Sequence, residues 1–211
     1  MMETDAVIQT LARDPKVKGP PTTVWLAICL VTALAYSVLA ILIIAGARSD
    51  FAAQAPWVAV KAGLSLLFAL AAAPLLLRLS RPGQTAGPWP PVLGVLLVGC
   101  VMTVAGSLAS TAEGERIAAF TGGGFPVCAI VIPTLAAPSA AALFLWLRKQ
   151  APTQPMMAGM AAGILSGATA AMAYALTCPV DSAAFVAMWY PAAITICAAL
   201  GALAGKFALR W

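Results

Sequence analysis

Six apolar runs of about 20 residues or more follow one another along the chain, at about residues 23–46, 57–79, 90–110, 125–147, 156–176 and 184–205. Each is long enough to cross the roughly 30 Å hydrocarbon core of a bilayer as a helix. Where no water is present a run of that length must satisfy its own backbone, and a helix does so. Short segments rich in turn residues separate the runs, among them SRPGQTAGPWP, TAEGERIAAFTGGG, RKQAPTQP and CPVDS. None of these loops is long enough for a soluble domain. The pattern predicts an all-α polytopic membrane protein with six transmembrane helices over residues 23–211, behind one polar segment, residues 1–22.

Composition agrees with the pattern: 62% of the 211 residues are hydrophobic and 9% charged, where a soluble domain carries about a quarter charged. The AGA at 45–47 resembles a signal cleavage site. The run before it is longer than the roughly 7–15 residues of a signal core, so it is read as a retained helix.

Charge gives an orientation. With the N-terminus inside, Arg13, Lys16, Lys18, Arg78, Arg81, Arg148, Lys149, Lys206 and Arg210 fall on the inner side, against Arg48 and Arg116 outside. Lysine and arginine in short loops mark the cytoplasmic face, so both termini are expected inside, an N-in/C-in topology. Asp50, Glu113, Glu115 and Asp181 then lie outside. The remaining basic residue, Lys61, stands about a turn inside the outer end of the second run, from where its stem is expected to snorkel to the interface. The net charge of +5 is spread over the inner loops rather than clustered with aromatics, which argues against direct nucleic-acid binding. Trp25, Trp57, Trp89, Trp146 and Trp189 fall near run ends, as an aromatic belt requires.

Much chemistry is missing. The chain has no histidine, the commonest general base and metal ligand. No acidic residue interrupts a run interior, which leaves a carboxylate relay without members. Gly122–Gly124 lack the Lys and Ser or Thr of a phosphate loop and read as a flexible lead into the fourth run. Gly159, Gly163 and Gly167 share one face of the fifth run, and Gly201 and Gly205 repeat the spacing in the sixth; small residues at this spacing let helices approach closely, here within the bundle. No internal repeat is found, which weakens a transporter reading.

The five cysteines sort by depth. Cys29, Cys100 and Cys197 lie well inside runs, where a thiol is a small apolar packing group. Cys128 and Cys178 both lie near the outer face, 50 residues apart in sequence. Three readings stay open for them: a disulfide, a soft-metal or redox-sensing dithiol, and two unrelated packing residues. Pro126, Pro133 and Pro138 in FPVCAIVIPTLAAP permit a bend in the helix that carries Cys128. Asp181, three residues after Cys178, would suit a cation beside the pair. In CPVDS, Pro179 discourages helix continuation, and Asp181 and Ser182 are candidate caps for the sixth helix.

CPVDSAAFVAMWY, the cysteine in FPVCAIVIPTLAAPSA, the closing LGALAGKFALRW and six runs behind a short polar tail together resemble the NrsF-type integral-membrane anti-sigma factors, over essentially the whole chain. That resemblance implies a non-enzymatic protein of the bacterial inner membrane that sequesters an extracytoplasmic-function (ECF) sigma factor until a stress signal arrives. It needs no cofactor. The resemblance also implies that the cysteine pair, Cys128 and Cys178, senses heavy metals or oxidants, with a soft heavy-metal ion as a signal. The cytoplasmic segment engages the sigma factor, through Val7, Ile8 and Leu11 at helical spacing and then Asp14 and Val17. Pro15 follows Asp14 directly, where the family places its proline before a valine. From the residues alone the same tail fits a segment that becomes a helix on a partner. The competing readings are a membrane thiol-disulfide oxidoreductase, which lacks a Cys-x-x-Cys motif here, and a small transporter or assembly subunit.

Overall fold

A computed structural model describes residues 22–46, 48–124 and 126–209. Among these residues there are seven α-helices and no strand: α1 Thr22–Ala45, α2 Ala55–Leu79, α3 Trp89–Ser110, α4 Arg116–Thr121, α5 Cys128–Arg148, α6 Pro155–Tyr174 and α7 Ala183–Ala208. All except the short α4 are long and apolar enough to cross a membrane. Their ends fall within three residues of those expected from the apolar runs. The start of α5 differs because Pro126 and Val127 precede the helix, which begins at Cys128. The larger departure is in TAEGERIAAFTGGG, expected to be a loop, which contains a 3₁₀ turn, Glu113–Glu115, and α4.

The centre of the bundle is α6. Its sequence, PMMAGMAAGILSGATAAMAY, is so poor in bulk that neighbours close in from every side, and Ala158, Ala161 to Ala171 and Ala173 are buried without a break in that run. Helices α7, α2, α5 and α1 pack around it, and α3 lies outside against α7 and α2. The closest approach is between α6 and α7. A Cβ built on Gly159 would fall 2.9 Å from Gly205 Cα, and one on Gly201 would fall 3.0 Å from Gly163 Cα. Real side chains do not occupy such positions, so the two glycine rows expected from the spacing are the contact surface itself.

The outer helices keep an apolar surface. Val31, Ile43 and Ile44 on α1, Val95, Val98, Val101 and Met102 on α3 and Phe207 on α7 are all exposed. Helices that are apolar on every side suit hydrocarbon, where such a surface needs no cover. Helix α5 runs uninterrupted through Pro133 and Pro138, each of which removes one backbone donor from the ladder.

Candidate functional site

The polar groups of the bundle collect at one end, where the α1–α2 loop, the start of α2, the start of α5 and the α6–α7 turn meet. Helix α6 stops at Tyr174, four residues before Cys178, whose N–H still bonds to the Tyr174 carbonyl at 3.1 Å. Pro179 has no N–H to carry a helix further. The chain then runs extended to Ser182, whose hydroxyl accepts from the Phe185 N–H at 3.5 Å and caps α7. Of the two candidate caps Ser182 takes the position. Its Oγ also donates to the Ala119 carbonyl at 2.7 Å, and Trp189 Nε1 donates to the Phe120 carbonyl at 2.9 Å, so α4 is fastened across the start of α7. Gly122 ends α4 with φ of 71°, and a Cβ there would lie 2.8 Å from a Val180 methyl. At this position the glycine run, expected to be a flexible lead, provides a left-handed helix stop pressed against the α6–α7 turn.

Cys128 is the first residue of α5 and is 0% exposed; Cys178, in the turn, is 1% exposed. Both are free thiols, and each lies within electrostatic reach of the other. Cys29, Cys100 and Cys197 are free as well, on α1, α3 and α7. Beside the pair stand Tyr174 and Tyr190, ring centroids 6.2 Å apart. The Tyr190 side chain is fully buried, its hydroxyl has no hydrogen-bond partner, and it lies within electrostatic reach of both sulfurs.

On the other side of Cys178 is a cluster of four charges. Arg48 Nε and Nη2 donate to the two oxygens of Asp50, at 2.7 and 2.9 Å. Nη2 also donates to Asp181 Oδ2 at 2.8 Å, and Nη1 to Asp181 Oδ1 and to the Cys178 carbonyl, both at 3.0 Å. All five guanidinium donors are thereby used. Lys61 Nζ donates to Asp181 Oδ1 at 2.7 Å and to the Cys178 carbonyl at 2.9 Å. Lys61 is 0% exposed. It does not snorkel, as its position near a helix end suggested; its ammonium turns inward because Asp181 supplies the opposite charge there. Asp181, expected beside the thiols as a charge suited to a cation, spends both oxygens on Arg48 and Lys61. The signal that could have exposed this cluster was on the page: two acidic residues in the outer loops, Asp50 and Asp181, and one lysine too deep to be a topology mark.

The hydrogen bonds that Arg48 donates to Asp50 and then to Asp181 raise its pKa, and the Asp50 carboxyl is lowered in return. At Asp181 burial opposes the charged form, but the bonds from Arg48 and Lys61 outweigh it and hold the carboxyl below its ordinary value of 3.8. A carboxylate with a depressed folded-state pKa contributes stability that is present above its unfolded value and is lost as pH falls through the folded one. The melting temperature of the detergent-purified protein should therefore receive a constant contribution from this cluster from about pH 8 down to about pH 5 and lose it only below 3.8. Substituting Asp181 should remove that acid limb from the melting curve.

Among the described residues no group of three or more His, Cys, Asp or Glu could hold a metal ion. Two buried thiols within electrostatic reach of one another are chemically suited to two reactions: oxidation to a disulfide, and two-coordinate capture of a soft ion.

Fold and site define a class: an all-helical protein of six membrane-capable helices, with two buried thiols and a buried ion cluster at one end. Residues 11–211 match the family model described as NrsF, negative regulator of sigma F. The chain is 34% identical over 213 residues to a probable anti-sigma-F factor NrsF of Azospira oryzae, and 35% identical over 220 residues to the anti-sigma-F factor NrsF of Caulobacter vibrioides, covering all of both chains in each case. No solved structure matches. The chain belongs to the NrsF family of negative regulators of sigma F. It is a regulatory protein and not an enzyme, as the resemblance implied. The residues expected to meet a partner, Val7, Ile8, Leu11, Asp14 and Val17, lie outside the described residues.

Proposed function

We propose that this protein is an anti-sigma factor of the bacterial inner membrane, with both termini in the cytoplasm, that holds an ECF sigma factor through residues 1–22 and releases it when Cys128 and Cys178 meet a soft heavy-metal ion or an oxidant. The relatives' names support the partner class, a sigma factor. The apolar helix surfaces and the excess of basic residues at the opposite end from Cys178 support the membrane setting and its orientation. Val7, Ile8 and Leu11 would supply the apolar face of a helix folded onto the sigma factor, and Asp14 and Val17 the stretch after it.

The observation that carries the sensor half is the joint burial of two free thiols from distant parts of the sequence. A thiolate selects soft ions, and a bond from one sulfur to the other, or to a shared ion, ties α5 to the α6–α7 turn. Such an event moves the protein only if the ion or oxidant favours the releasing state over the holding one.

The test is a sigma-dependent reporter in cells producing the full chain with Cys128→Ser and Cys178→Ser together. Mercuric ion or diamide should induce the reporter with the parent protein and fail to do so with the double variant. An induction curve that survives both substitutions removes the pair from the mechanism. Capture of a sigma factor by residues 1–22 tests the partner half separately, and loss of capture on Leu11→Ala would fix its contact.

A further inference from the structure

Arg48 stands three residues beyond the end of α1 and is joined to the α6–α7 turn through its backbone N–H and both terminal guanidinium nitrogens. Its backbone N–H reaches the Leu176 carbonyl at 3.4 Å, and its guanidinium holds the Cys178 carbonyl and both oxygens of Asp181. Lys61, from α2, holds the same carbonyl and the same carboxylate. Two cations therefore converge on the main-chain oxygen of the very residue whose thiol is buried within electrostatic reach of Cys128. Few carbonyls receive two charged donors, and bonds to charged groups are the strong ones.

The placement has a mechanical consequence. The carbonyl and the Cβ of Cys178 branch from one Cα, so while Arg48 and Lys61 hold the carbonyl the sulfur is confined to the arc that rotation about Cα–Cβ allows, and moving beyond that arc turns the carbonyl away from both cations. Helix α1, at the other end of this linkage, is lightly held: its buried side chains are Leu26, Ser37 and Ile41. Its first residue, Thr22, is the last of the polar segment 1–22.

We propose that Arg48, with Lys61 and Asp181, is a clamp that positions the Cys178 turn against the end of α1, keeps the thiol inside, and passes a displacement of that turn to α1. The proposal rests on the sensor reading above and adds the part that links the thiols to the helix bearing the N-terminal segment. Closed, the clamp holds α1 in register with α5 and α6. A bond made at Cys178 that requires the carbonyl to turn opens it. The same bonds set the threshold, because the signal must make up for them.

Two readouts test it in the full-length, membrane-embedded chain. The first is the labelling rate of Cys178 by a membrane-impermeant maleimide, in a form whose other four cysteines are Ser. Arg48→Gln and Lys61→Met should each raise that rate by about tenfold or more, since each removes a charged hydrogen bond to the Cys178 carbonyl together with its bonds to Asp181. Arg48→Lys keeps the charge and the fold but has three donors in place of a planar fork, and should raise it several-fold. The second readout, with all cysteines present, is the mercuric-ion dose for half-maximal reporter induction, which should fall by a similar factor at equal membrane levels.

Unchanged labelling in Arg48→Lys and Lys61→Met would overturn the clamp, as would faster labelling with an unmoved dose curve, the mark of a merely structural ion cluster. Failure of the sensor reading looks different. There the Cys128→Ser and Cys178→Ser protein still responds, while the labelling rates continue to decide whether the clamp holds the turn.

Discussion

Asp181→Asn should lower the stability of the purified protein by about 3 kcal/mol, at the lower end for breaking a buried ion pair. The lower end applies because the Asp181 side chain keeps 17% exposure while Lys61 has none. The substitution leaves Arg48 with Asp50, but it leaves the Lys61 ammonium facing an amide and a carbonyl, with no anion and no route to water. In a chain of this size that loss is a fall in melting temperature on the order of 10 °C. The sign of a second substitution separates charge from packing. Lys61→Met alone removes one cation and leaves Asp181 with Arg48, whereas Asp181→Asn combined with Lys61→Met removes the uncompensated charge and should recover much of the loss. Thermal unfolding of the four proteins in one detergent measures this. A double variant no more stable than Asp181→Asn would show that the ammonium was not the source of the cost.

Gly163→Leu should be the most disruptive single change in the α6–α7 contact. A Cβ on Gly163 would fall 2.8 Å from the Cys197 carbonyl carbon and 3.0 Å from Ala198 Cα, with the Cys197 oxygen nearer still. These are backbone atoms, so no side-chain rotation relieves the clash and the two helices have to separate. Overpacking of this kind costs about 3 kcal/mol or more, and here it also opens the centre of the bundle, since α6 is the helix on which the others pack. Gly99→Ala is the matched control. Gly99, on α3, has nothing within 4 Å of its added Cβ and should be neutral or stabilising by up to about 1 kcal/mol. Yield of folded protein by detergent gel filtration, with the melting temperature, reads both; equal behaviour of the two variants would refute the close-contact account.

Several features of the site were legible in the chain before any folding. The end of the bundle at which Cys128 and Cys178 lie follows from counting helices, and the glycine rows at 159, 163, 167 and at 201, 205 follow from spacing alone. Lys61 was misread for a physical reason: a lysine near a helix end can turn out to the interface or in to a counter-ion, and nothing local chooses between them. The choice belongs to Asp181, 120 residues away. Helix α4 escaped because six residues are too few for periodicity, and its stability comes from Ser182 and Trp189, which bond to the carbonyls of Ala119 and Phe120. The N-terminal segment, with Val7, Ile8, Leu11, Asp14 and Val17, is read from sequence alone.

Sequence by itself determined the six long helices, their limits and the place of each cysteine along the bundle axis, because an apolar run of about 20 residues has essentially one way to satisfy its backbone away from water. Depth is one coordinate. The other two, which bring Cys128 within electrostatic reach of Cys178 and turn Arg48 and Lys61 onto one carbonyl with Asp181 as their shared counter-ion, were decided only in the tertiary structure. Helices that are apolar on every face carry little pattern to say which neighbour they will meet. That choice falls to the close fit of glycine against backbone and to a few buried charges that can be satisfied in only one arrangement.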